Sequence, residues 1–220
     1  MRCIGCVLAF AGYVFTAGVA SALVISDFDG LDGGTASGGL NPLAVDTIGS
    51  GTCLDLVAGA AASGSALCGF DISDTDAPDD FATYTISGID FDENRVLGFA
   101  LAAGNTGSGD FEDTDYITVE ANGVLVGSWA GGPSDTTDLL VNTGGGLVSG
   151  DLIPTFTAFS VPFGQLGSGT GDIVFTFFNT GNSEVFGLDQ VETNVIPLPA
   201  TLPLALVGLA ALGLLARRRA

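Results

Sequence analysis

The chain has 220 residues, enough for one domain of moderate size with targeting segments at its ends. It carries 25 acidic residues against five arginines, and it has neither histidine nor lysine. That composition excludes Ser-His-Asp, Cys-His and lysine Schiff-base catalysis, and it makes nucleic acid and anionic lipid unfavourable partners while inviting cations.

Met1 to Ala22 reads as a secretory signal peptide. Arg2 supplies the positive start, Val7 to Val19 is mostly apolar, and Ala20-Ser21-Ala22 fits a small-x-small cleavage site. The alternative is an N-terminal membrane anchor. Cys3 and Cys6 precede the apolar run, where a lipidated cysteine would follow it, so both leave with the cleaved peptide.

From Leu23 to Asn194 the chain reads as a succession of short strands. Leu23 to Ile25 opens it, and Leu43 to Ile48, Leu67 to Ile72, Phe81 to Ile86 and Arg95 to Ala103 follow. All acidic residues fall between Asp27 and Glu192, with Arg95 the one base among them. Cys53 and Cys68 remain after export, and two cysteines in an oxidising compartment point to a disulfide. The best local signal is Asn122-Gly123, the preferred type I′ hairpin turn, between Tyr116 to Ala121 and Val124 to Trp129. Unbroken pairing outward from that turn sets Val119 opposite Val126 and Tyr116 opposite Trp129. Leu139 to Val141, Thr155 to Phe163, Asp172 to Phe178 and Glu184 to Glu192 complete the set. No window shows capped helical periodicity, so the expected fold is all-β, an antiparallel sandwich or jelly roll over residues 23–194.

The last segment, 195–220, is built differently. Ile196-Pro197-Leu198-Pro199-Ala200 precedes an uncharged run from Leu202 to Ala216, and Arg217, Arg218 and Arg219 close it. The run alone falls short of a bilayer core, but counted from Ile196 it reaches 21 residues, enough to cross as a single C-terminal helix. The arginines mark the cytoplasmic side, which leaves the acidic body outside. A buried core helix is the alternative. The segment resembles PEP-CTERM sorting tails of the VPLPA-CTERM variant, with Ile196 where that variant usually has valine. The resemblance implies recognition by an exosortase at the inner membrane of a Gram-negative bacterium. It also implies processing of the tail, delivery to the cell surface or beyond, and a setting rich in exopolysaccharide.

Asp115 to Val119 with Asn122-Gly123, and Asp172 to Phe177 leading through Asn179 to Glu184 into Phe186 to Val191, are similar to strands of galactose-binding-like jelly rolls. That resemblance implies sugar binding and a structural calcium. Asp27, Asp29 and Asp32, set closely beside Gly30 and Gly33, are candidate calcium ligands. Asp189 could join them if the first and last strands pair. A second cluster packs five aspartates between Asp71 and Asp80. For both clusters the plain reading is a solvated acidic loop. Tyr116 and Trp129 are candidates for stacking on a sugar ring, unless a second sheet or a loop covers that face and makes them core. No GxSxG elbow occurs, and no carboxylate pair stands in a recognisable motif.

The sequence therefore points to an exported, non-catalytic surface or matrix protein. The alternatives are a calcium-dependent carbohydrate-binding module and a glycan-active hydrolase using carboxylates.

Overall fold

The computed structural model describes residues 22–29, 32–59, 64–73, 81–105, 111–132, 139–180 and 184–195. The expected signal peptide up to Ser21, residues 74–80 of the second acidic cluster, and the tail from Ile196 lie outside them. No helix among the described residues is long and apolar enough to cross a membrane.

Strands β1 (Ala22–Ser26), β2 (Thr35–Gly38), β3 (Ala44–Thr47) and β4 (Ser65–Phe70) come first. Then follow β5 (Ala82–Phe91), β6 (Arg95–Asn105), β7 (Tyr116–Ala121) and β8 (Val124–Ala130). The last four are β9 (Val141–Asn142), β10 (Thr157–Pro162), β11 (Gly169–Phe178) and β12 (Glu184–Val195). Two antiparallel sheets result, as expected for a sandwich. The first runs β10-β6-β12-β4-β3; the second runs β2-β5-β11-β7-β8-β9. β12 carries β6 along one edge, and β4 and then β1 in succession along the other. The first and last strands of the body therefore pair, with Val24 opposite Glu192.

Alternation explains which face each strand turns inward. In β5, Ala82, Tyr84 and Ile86 are buried between Thr83 and Thr85; in β11, Ile173, Phe175 and Phe177 are buried between Val174 and Thr176. The two sheets meet through aromatic contacts. Phe99 meets Phe175 edge-on at 5.5 Å between ring centroids, and Phe177 lies 6.2 Å from Phe186.

The first sheet is buried on its outer face as well. Leu97, Phe99 and Leu101 of β6 enter the central core, while Ala100 and Ala102 enter a second, smaller one with Cys53, Leu56 and Phe156. Small residues are needed there because the covering segments lie close. A Cβ at Gly187 would sit 2.5 Å from Leu56 and 2.7 Å from Phe156. The Cys53–Cys68 disulfide, Cα to Cα 5.8 Å, ties this cover to β4, as the cysteine count predicted.

Candidate functional site

The β7-β8 hairpin turns at Asn122 and Gly123, with φ of 52° and 74° as a type I′ turn requires. The expected register does not survive beyond the turn. Ala121 faces Val124 and Glu120 faces Leu125, but Val119 then faces Gly127. Val126 is the extra residue of a β-bulge, and every later pair moves by one. Ile117, not Tyr116, stands opposite Trp129. The shift sends Trp129 into the core, fully buried, where its ring lies 5.2 Å from Phe159 and its Nε1 donates to the Gly150 carbonyl at 2.7 Å. Burying an indole removes on the order of 200 Å² from water, worth several kcal/mol at about 25 cal/mol per Å², which favours the bulge. Of the two readings of this candidate pair, Trp129 follows the core one, and it does not stand opposite Tyr116. Tyr116 turns to the outer face and stacks on Phe178, with centroids 5.3 Å apart and planes 12° apart.

The first acidic loop is organised by hydrogen bonds with the protein. The Tyr84 hydroxyl is buried with Ser26 Oγ at 2.6 Å and donates to Asp32 Oδ1. Gly33 N donates to Ser26 Oγ at 2.8 Å, completing a relay from backbone to carboxylate. Burial and the Asp32 carboxylate push the Tyr84 phenol well above its ordinary range. Asp29 Oδ2 accepts from Gly64 N at 2.9 Å, and Asp27 Oδ1 from Asp29 N at 3.2 Å. Asp189 is buried in β12, where its Oδ1 accepts from Gln190 N at 2.7 Å. Among the described residues, no three acidic or cysteine side chains group as cation ligands.

Two polar residues that composition did not single out hold one end of the sandwich. Asn179 Oδ1 accepts from Ile72 N, and its Nδ2 donates to the Glu184 carbonyl, each at 2.8 Å. Asp115 Oδ2 accepts from Glu112 N at 2.8 Å, and Oδ1 from Thr180 N at 3.0 Å. Burial raises the Asp115 carboxyl to about 8, and the neighbouring Glu112 carboxyl reinforces the shift. Both residues stand at strand ends, where a polar side chain can bind loop amides. That position, and their place in the stretches noted above for their resemblance, were the sequence signals available.

No family model matches the chain, and no curated protein matches it. Several solved structures resemble it. CBM27-1 of Caldicellulosiruptor saccharolyticus, in complex with mannohexaose, is 15% identical and has a TM-score of 0.47, over 83% of this chain and 100% of that one. The family 11 carbohydrate-binding module of Clostridium thermocellum is 12% identical with a TM-score of 0.40, over 82% and 98%. The K2 cleaved adhesin domain of Lys-gingipain is 12% identical with a TM-score of 0.45, over 79% and 97%.

Proposed function

We propose that this chain is an exported, non-catalytic protein of the cell surface or extracellular matrix, with a structural or adhesive role. In this reading a signal peptide over 1–22 is removed, and the body 23–194 folds outside the inner membrane. The tail 195–220 holds the body there until an exosortase-type enzyme processes it. The carrying observation is the succession of Ile196 to Ala200, the apolar run from Leu202 to Ala216, and Arg217 to Arg219. The Cys53–Cys68 disulfide supports the same compartment, because cytosolic thiols are kept reduced. The absence of histidine and lysine supports a role without catalysis.

Topology tests this directly. A reporter active only in the cytoplasm, fused after Ala220, should be active in a strain lacking the processing enzyme. Activity of a periplasm-only reporter at that position would overturn the reading.

A further inference from the structure

Strand β12 runs straight into the tail. Asn194 has a neighbour on each side, Val96 of β6 and Ala22 of β1, and Val195 still pairs with Arg95. The next residue, Ile196, is the first of the sorting motif, so no linker separates strand from motif.

The same pairing brings the other end of the body to that point. Ala22 lies opposite Asn194, Leu23 opposite Thr193 and Val24 opposite Glu192. Paired strands stand about 4.8 Å apart. The Ala22-Leu23 peptide bond, expected to be cut on export, therefore lies one strand spacing away from the residues that lead into the motif. Neither strand is free to swing aside. Ser26, at the far end of β1, is fully buried, and its Oγ lies 2.6 Å from the Tyr84 hydroxyl and accepts from Gly33 N at 2.8 Å. Thr193 of β12 is buried, and Leu97 opposite it belongs to the central core.

We propose that removal of the signal segment opens the tail to its processing enzyme. Until that cleavage, the chain before Leu23 fills the β1 side of β12 at Asn194. Hydrolysis adds water across the Ala22-Leu23 bond, leaving a carboxylate on the departing segment and an ammonium on Leu23. Ala22 goes with the segment, so the β12 edge at Asn194 loses its neighbour. That edge leads directly into Ile196. An enzyme that takes its substrate as an added strand gains main-chain hydrogen bonds from such an edge. Val96 and Arg95 already occupy the β6 side, which leaves the β1 side as the approach. The enzyme then breaks one peptide bond of the tail, and the acyl group passes to water or to an acceptor amine. Synthesis alone puts the N-terminal cleavage first in time; the shared strand edge makes the second cleavage depend on it. This dependence rests on the export and processing proposed above.

The test follows a C-terminal tag after Ala220 in cells that hold the processing enzyme. The wild type should lose the tag. An Ala20→Phe/Ala22→Phe variant replaces both small residues of the cleavage site and keeps its signal segment. It should lose the tag about tenfold more slowly, the measure of about two backbone hydrogen bonds withheld from the enzyme. Brief inhibition of the signal-removing peptidase gives the same uncleaved state in the wild-type chain and should slow tag loss equally. A linker of about ten Gly and Ser residues between Val195 and Ile196 carries the motif roughly 17 Å from the sheet, and should restore the wild-type rate to the uncleaved variant. Tag loss at the wild-type rate from uncleaved chains, by substitution or by inhibition, would overturn the proposal. So would failure of the linker to restore it. A wild type that keeps its tag would overturn the processing reading as well; a wild type processed whether or not its signal segment is attached would overturn the dependence alone.

Discussion

Asp115 and Thr180 are joined across the end of the sandwich by a 3.0 Å hydrogen bond from the Thr180 amide to a fully buried carboxyl oxygen. The same carboxyl takes the Glu112 amide at 2.8 Å. The loops after β6 and β11 are therefore locked through one acid that stays protonated near neutrality.

That acid makes stability depend on pH in a stated direction. Its folded-state pKa is raised from 3.8 to about 8, so the folded chain keeps a proton that the unfolded chain has released. The stabilising contribution is complete below about pH 4 and is lost as pH rises through about 8. An Asp115→Asn variant gives up one backbone acceptor but no longer titrates. It should melt below the wild type at pH 5, and the gap should close or reverse by pH 9. Parallel melting profiles would contradict the assignment.

Trp129 is the single tryptophan and lies in the core. Its fluorescence should be blue-shifted and poorly quenched by iodide. Trp129→Ala should cost about 3–5 kcal/mol in denaturant unfolding, whereas Thr118→Val on the outer face should stay within about 0.5 kcal/mol. Strong quenching in the folded state would place the indole on the surface and the bulge in error.

The disulfide closes a separation of 15 residues, worth about 3 kcal/mol in the chain-entropy model. Reduction should lower the denaturation midpoint accordingly, and alkylation without reductant should leave Cys53 and Cys68 unlabelled. Labelling of both would contradict the bridge.

Gly187 lies beneath Leu56 and Phe156 on the outer face of the first sheet. Gly187→Val should overpack the second core and destabilise by about 1–3 kcal/mol while far-UV dichroism stays β-type. An unchanged midpoint would mean that the cover does not sit against the sheet.

Much of this body could be read from residue order. Strands such as β5 and β11 announce themselves by alternation, and Asn122-Gly123 marks its turn. What local pattern could not give was decided by packing. The Val126 bulge inserts one residue with no compositional sign, and only the burial gained by Trp129 favours it. β2, Thr-Ala-Ser-Gly, has no large apolar side chain and becomes a strand because β5 offers it backbone partners. The second core was hidden because Ala100 and Ala102 look the same in a strand covered on one face or on two. Asp115 could not be told from the other carboxylates until its burial was known. The two readings of the candidate aromatic pair were divided by the register slip, which made Trp129 core and left Tyr116 on the outer face.

The central claim is export followed by processing of the tail. Intact-mass analysis of the mature protein, taken from separate cytosolic, membrane, surface and culture fractions, tests it most directly. The expected species lies in the surface or culture fraction, begins at or near Leu23, keeps its disulfide and has a modified or shortened C-terminus. A cytosolic species running unbroken from Met1 to Ala220 would contradict the account.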